Sequence, residues 1–432
     1  MQIYRLPADQ DLTVQKLDYF LNKHMNEVNI RLIKLRDAYE TRYDIGKLAP
    51  KPDWKPDNRI AVNFAKYIVD TMNGFFIGIP VKTMSDNERV SEYINFLDSY
   101  NDQDDNNAEL SKLCDIYGRA YEMYYVDEFG KIGITYVSPL ESFMIYDDSV
   151  LERERYFVRT YVDSKGVLHG SVSDAMTVRH FIKKGALHFT DEKVHGFSGV
   201  PATEYRENEE RIGIFEPVLT MINAYNKAIS EKANDVDYFA DAYLKVLGAI
   251  CDEETMQNIR QNRVINFKGR DVGNLIVEFL QKPDGDSTQE HLIDRLEKLI
   301  FQISMVANIS DENFGSASGV SLKYKLQAMS NLAKTKERKF VSGMNRRYAL
   351  IFSNPVSGMN KDEWVGIEYK FTQNYPANLS EEADTAAKLS GITSKKTQLK
   401  IISAVEDVNA ELDRIEEETD PLQYNTEYAT ER

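Results

Sequence analysis

The run Glu216-Pro-Val-Leu-Thr-Met-Ile-Asn-Ala-Tyr-Asn-Lys-Ala-Ile-Ser-Glu-Lys-Ala-Asn-Asp-Val-Asp-Tyr-Phe-Ala-Asp-Ala-Tyr-Leu-Lys-Val-Leu247 decides the fold class. Its apolar residues Val218, Ile222, Tyr225, Ile229, Val236, Phe239, Tyr243 and Val246 step mostly by three or four, the period of one helix face. At 1.5 Å per residue this predicts a helix of roughly 45 Å. Downstream, Leu292, Leu296, Leu299, Ile303 and Val306 repeat the stripe and predict a second helix over 288–309. Between the two, Gly248–Ser287 reads as a compact insert, with short strands at Arg263–Lys268 and Leu275–Leu280 punctuated by Gly and Pro. The loop Asp311-Glu-Asn-Phe-Gly-Ser-Ala-Ser-Gly319 follows, and a third long helix is predicted from Val320 to about Phe352.

Upstream, Leu17, Phe20, Leu21, Met25, Val28, Leu32 and Leu35 predict an amphipathic helix between Asp11 and about Tyr43. Further helices are expected over Ile60–Phe76 and Arg89–Leu97, and over Ala108–Tyr117 after a polar loop at Tyr100–Asn107. The pattern then shortens to β-rich runs at Arg119–Val126, Ile132–Val137, Arg155–Val162, Val167–Val172, Thr177–Ile182 and Ala186–Phe189. Turn residues separate them, as in an antiparallel meander. Trp364–Thr372 alternates like a strand. Short helices are expected from Ser380, with an acid-rich, frayed tail over Glu411–Arg432. The fold class is therefore α+β, predominantly helical.

With 432 residues, the chain is too long for one small core, and with 42% hydrophobic residues it has ample material to pack. Its net charge of −16 argues against tight wrapping of nucleic acid, which needs basic surface, but leaves room for DNA that slides. The two cysteines, Cys114 and Cys251, exclude a disulfide framework and a four-cysteine zinc site. The longest apolar run, Gly74–Val81, falls short of a bilayer span, and Met1–Asp9 carries no apolar signal core. A cytoplasmic protein without a membrane segment is expected.

Chemical motifs are sparse. Walker A, His-Glu-x-x-His and Gly-x-Gly-x-x-Gly are absent, and the six histidines show no metal-ligand spacing. Gly315–Gly319 mimics a nucleophile elbow but centres on Ala317. Asp102, Asp104 and Asn106 start like a calcium loop but lack its Gly and Glu. No catalytic residue, cofactor or metal ligand is assigned. One enzyme-like pattern remains: Asp362, Glu368 and Lys370 resemble the carboxylates and lysine of a metal-dependent nuclease. Glu368 and Lys370 share a strand face. A nuclease or other DNA-processing enzyme is thus the alternative function, and a scaffold without DNA a third.

The helix after the Gly/Ser loop is biased in charge. Lys323, Lys325, Lys334, Lys336, Arg338, Lys339, Arg346 and Arg347 stand against Glu337 alone. On an otherwise acidic chain, Lys334, Lys336, Arg338, Lys339, Arg346 and Arg347 are expected to pair with acidic surface on a neighbouring subunit. Gly343 permits a kink in this helix.

Several segments, in consistent order along most of the chain, resemble the portal proteins of siphophages infecting Gram-positive bacteria. They are Asn58–Phe64, Asn73–Val81, Tyr117–Tyr125, Val200–Gly213, Ala224-Tyr-Asn, Ala233-Asn-Asp, Phe239–Leu244, Phe314–Val320, Lys336–Phe340 and Phe371–Pro376. Glu207 departs from the expected Asn. The resemblance implies a portal fold: a wing over 1–215, a first stem helix over 216–247, a clip over 248–287 and a second stem helix over 288–309. It further implies a DNA-facing tunnel loop over 310–319, a long helix and connection over 320–363, a wing return strand over 364–379, and a crown and acidic tail over 380–432. The tunnel-loop residues would be Asp311, Glu312, Asn313, Phe314, Gly315, Ser316, Ala317, Ser318 and Gly319. The implied assembly is a closed ring, typically of twelve, at one capsid vertex. It would be assembled in the host cytoplasm, conduct double-stranded DNA in packaging and ejection, and nucleate the procapsid. Its implied partners are terminase, a head-completion or adaptor protein, and the major capsid and scaffolding proteins.

Overall fold

A computed structural model of the chain describes residues 3–52, 55–240, 244–247, 276–279, 286–309, 322, 324–374, 379–402, 404–405 and 408–419. The strand expected at Arg263–Lys268, the loop Asp311–Gly319 and Cys251 lie outside these residues.

The chain begins with β1 (Tyr4–Arg5) and α1 (Val14–Lys23), which Thr13 caps by accepting the Lys16 N–H. One wide π-type turn over His24–Val28 leads into α2 (Asn29–Tyr39), so the single helix expected here has two halves. In α3 (Phe64–Ile77), Asn63 caps the first turn, and Phe64, Ile68, Met72, Phe75 and Phe76 are buried. After β2 (Lys82–Ser85) and α4 (Glu88–Tyr100) comes α5 (Gln103–Tyr117). This helix starts five residues before the predicted position. Gln103 and Asn107, expected in a solvated loop, are buried in its first turns, with Gln103 Nε2 donating to Asn107 Oδ1 at 3.0 Å. Gly118 ends α5 at φ +82°. A Cβ there would lie 2.1 Å from the Arg211 carbonyl oxygen, so both the turn and the close approach require glycine.

The strands divide between two main sheets. β3 (Arg119–Val126) and β4 (Ile132–Val137) pair as predicted, with β10 (Ala202–Arg206) on the other side of β3. The side-chain amide of Asn101 closes the open edge of β4, donating to Ile132 O and accepting from Ile134 N. The meander proper is β5 (Ser142–Tyr146), β6 (Glu154–Val162), β7 (Leu168–Ser173), β8 (Thr177–Lys184) and β9 (Ala186–Val194), with β1 parallel to β5.

The predicted helix over Glu216–Leu247 is α6 (Leu219–Ala240), preceded by a 3-10 turn at Glu216–Val218. Its last stretch is a correction: Leu244–Leu247 is β11, paired antiparallel with β12 (Ile276–Phe279) in register Leu244↔Phe279. A short apolar run satisfies helical and strand periods alike, and here the cross-strand partner decides. α7 (Asp286–Ser304) packs along α6, burying Ile293 and Ile300. Phe301 sits edge-on to Phe64, whose ring meets Tyr225 the same way. α8 (Gln327–Ser353) crosses over α3 and β10 and reaches α5 through the Lys336 side chain. The strand expected over Trp364–Thr372 contracts to β13 (Ile367–Lys370), paired with β2 and preceded by a 3-10 turn at Glu363–Gly366. α9 (Leu379–Lys388), α10 (Lys395–Leu399) and α11 (Val408–Thr419) follow.

Candidate functional site: the basic helix and its buried carboxylates

The core-facing stripe of α8 runs through Met329, Ala333, Lys336, Phe340, Met344, Arg347 and Ile351. These positions step by three or four, so two cations occupy core positions. Gly343, on the same side, makes room for the Tyr205 ring: a Cβ there would lie 2.5 Å from a ring carbon.

Lys336 is 1% exposed. Its Nζ lies 2.5 Å from Asp115 Oδ1 on α5 and 3.2 Å from Glu207 Oε2 just after β10. It also donates to Ser111 O at 3.3 Å and stands 5.1 Å from the Phe76 ring centroid. Burial disfavours the ammonium, but the two carboxylates outweigh it and hold its pKa above the usual range. Burial dominates for Asp115, pushing its pKa well up despite the lysine. Two carboxylates thus share one cation. Glu207, the residue that departs from the portal pattern, is one of them. The neighbouring Cys114 thiol is also buried, which raises its pKa.

Three turns further along α8, Arg347 forks onto Glu122 of β3, with Nε 2.8 Å from Oε2 and Nη2 2.7 Å from Oε1. Nη2 also reaches Asn107 Oδ1 at 2.7 Å. Tyr124 and Tyr205 direct their hydroxyls at Glu122 Oε2 from 2.8 and 3.2 Å. The planar fork and the tyrosines satisfy the carboxylate in full, which is what makes a buried charge tolerable.

A fourth buried carboxylate, Glu204 of β10, accepts from Arg211 Nε and Nη2 at 2.9 Å each, from Arg206 Nε at 2.7 Å and from the Tyr146 hydroxyl at 2.6 Å. Burial pushes its pKa up, but the Arg211 hydrogen bonds and the charges of Arg211, Arg206 and Arg119 prevail and bring it down to about 2.

The remaining cations assigned by sequence lie nearer solvent. Lys339 pairs with Glu209, and Arg346 Nη1 lies 3.2 Å from Glu154 Oε2. Lys334 and Arg338 are exposed. So the six cations expected at a subunit boundary separate into two buried within the subunit, two paired across its own surface and two facing outward. Sequence reasoning missed the acidic partners Asp115, Glu122 and Glu207. The nuclease pattern consists of three exposed residues: Asp362 before a 3-10 turn, and Glu368 and Lys370 on β13. Among the described residues, no group of three or more His, Cys, Asp or Glu is placed to hold a metal ion, and no helix is long and apolar enough to cross a membrane.

The chain is 24% identical to the portal protein of Bacillus phage SPP1, over 95% of this chain and 87% of that one. It is also 24% identical to the portal protein of Clostridium phage phiCD119, over 87% of this chain and 90% of that one. These relatives give no support to the nuclease alternative. The family model described as "Phage portal protein, SPP1 Gp6-like" matches residues 18–423. With the match running from α1 past the end of α11, the chain belongs to the SPP1 Gp6-like family of phage portal proteins.

Proposed function

We propose that the chain is one subunit of a closed twelve-membered ring at a single capsid vertex, a channel through which double-stranded DNA is packaged and later ejected. The observation that carries this is the family match over residues 18–423, nearly the whole chain. In this reading the chain has no hydrolytic turnover of its own. The ring is assembled in the host cytoplasm and nucleates the procapsid with the major capsid and scaffolding proteins. It then docks terminase, which supplies the packaging energy, and afterwards a head-completion or adaptor protein. The paired helices α6 and α7 form the stem, Gly248–Ser287 the clip, and the residues up to 215 with β13 the wing. Asp311–Gly319 faces DNA, and α9 to α11 lie in the crown. The net charge of −16 supports a conduit, because repulsion keeps the duplex from sticking. Lys334 and Arg338, exposed on α8, are the cations proposed to meet a neighbouring subunit. The deciding experiment is the mass of the purified assembly by native mass spectrometry. A closed ring of about twelve copies is expected, and a monomer or dimer at all concentrations refutes the reading.

A further inference from the structure

A cleft of about 630 Å³ opens where α2, the start of β3 and the segment 209–216 meet. Arg31, Arg119 and Arg211 line it, together with Glu27, Glu209 and Glu210. Arg31 is neutralised by Glu216, onto which its Nε and Nη2 fork. Arg211 is neutralised by Glu204. Arg119 is different. Its side chain is 3% exposed, its Nε has no hydrogen-bond partner among the described residues, and its Nη1 stands 3.6 Å from Glu204 Oε1. Of the four hydrogen bonds that Glu204 accepts, three fall on Oε2, from Arg211, Arg206 and Tyr146, while Oε1, the oxygen nearer Arg119, accepts from Arg211 Nε and stands too far from Arg119 Nη1 for a hydrogen bond. Arg211 and Arg206 take the hydrogen bonds of this carboxylate, Arg206 also lying 3.5 Å from Glu209, and Arg119 is left with an unused Nε donor at the foot of an open cleft.

We propose that the foot of this cleft is an oxyanion site, in which Arg119 takes the oxygens of one carboxylate or phosphate group. A fork of donors fixed in the interior is suited to a planar or tetrahedral oxyanion. The carboxylates of Glu27, Glu209 and Glu210 along the walls restrict the ligand to small total charge and disfavour a polyanion such as the DNA backbone. The same chemistry has two sources: a free oxyanion, or an acidic side chain reaching in from a second copy in the ring.

The test uses the full chain, with inorganic phosphate as the probe. Thermal unfolding is followed against phosphate at constant ionic strength, with chloride as the balancing salt. A free-oxyanion site gives a rise in Tm that saturates in the millimolar range, with half-saturation at least tenfold weaker in Arg119→Gln. A non-specific salting effect rises without saturating. If phosphate has no effect, but Arg119→Gln keeps its far-UV spectrum and sediments as smaller species than wild type, the oxyanion is a carboxylate of the second copy. If phosphate has no saturable effect and Arg119→Gln assembles like wild type, the proposal is overturned. Should Arg119→Gln fail to fold, Glu210→Gln at the wall decides. It must tighten phosphate binding or raise the salt needed to dissociate the ring, and no change in either refutes the site.

Discussion

Replacing Lys336 with methionine tests whether α8 is held to α5 and the end of β10 by charge. Methionine fills the same linear volume without the ammonium, so packing against Phe76 is largely kept. What is lost is the cation between Asp115 and Glu207, both of them buried with it. Removing one partner of a buried ion pair costs about 3–5 kcal/mol, because the remaining charge is stranded. Here the stranded group is a pair of carboxylates, so the upper half of that range is expected near neutral pH. The pH dependence follows from Asp115. Burial already holds its folded pKa well above the usual value, and loss of the ammonium removes a lowering influence. An acid with a raised folded pKa binds more protons folded than unfolded over the interval between the two values. Stability therefore rises as pH falls through that interval. The deficit of Lys336→Met should therefore shrink between pH 7.5 and pH 5, because without the ammonium the variant holds the Asp115 proton more tightly than the wild type does. Adding Asp115→Asn and Glu207→Gln should bring the protein back to within about 1 kcal/mol of wild type, as neutral replacement of buried ionic groups often does. Urea unfolding followed by far-UV circular dichroism, at one fixed subunit concentration because assembly shifts apparent stability, measures all three quantities. A cost below about 1 kcal/mol, or the same cost at both pH values, refutes the reasoning.

Glu204 should show the opposite dependence. With its pKa depressed to about 2, its stabilisation is complete above the ordinary value of 4.5 and is lost as pH falls from there towards 2, an effect of about 3 kcal/mol visible as a narrowing gap between wild type and Glu204→Gln in acid. Gly343→Ala should destabilise by about 1–3 kcal/mol in urea unfolding, since its Cβ would overlap the Tyr205 ring. Reversing exposed Lys334 and Arg338 to Glu should lower the salt concentration at which the ring dissociates in sedimentation velocity. An unchanged salt profile would assign the interface to packing instead. Replacing Gly315 and Gly319 with Val should leave ring mass unchanged but impair DNA packaging, and normal packaging would remove the proposed role of the loop.

The meander was readable because Asp163-Ser-Lys-Gly166 and Lys183-Lys-Gly185 mark its turns, with Gly166 and Gly185 both at positive φ. Its division into two sheets was not. All five residues of β5 are buried, so it shows no alternation, and the partner of β3 is β10, about eighty residues downstream. Period-two patterning announces a strand without naming its neighbour. The basic helix was legible as a helix and misleading as a surface. Counting its cations treated all of them as exposed, whereas the phase from Ala333 through Lys336 to Phe340, and from Met344 through Arg347 to Ile351, already placed two inside. The sequence could not show what waited there, since Asp115, Glu122 and Glu207 come from three separate segments that only the fold brings together.

That arrangement has a mechanical consequence. Lys336 and Arg347 are eleven residues apart, or roughly 16 Å along the axis. Each meets a carboxylate fixed in a different element, Asp115 in α5 and Glu122 in β3. Sliding α8 by one turn would strand both cations and their carboxylates together, at a cost of several kcal/mol for each pair. Apolar side chains alone would tolerate such a slip better, because Met and Phe repack against new neighbours. The two ion pairs therefore fix the register of α8 against α5 and β3, so that displacement at its N-terminal end is passed to the rest of the subunit rather than absorbed by sliding.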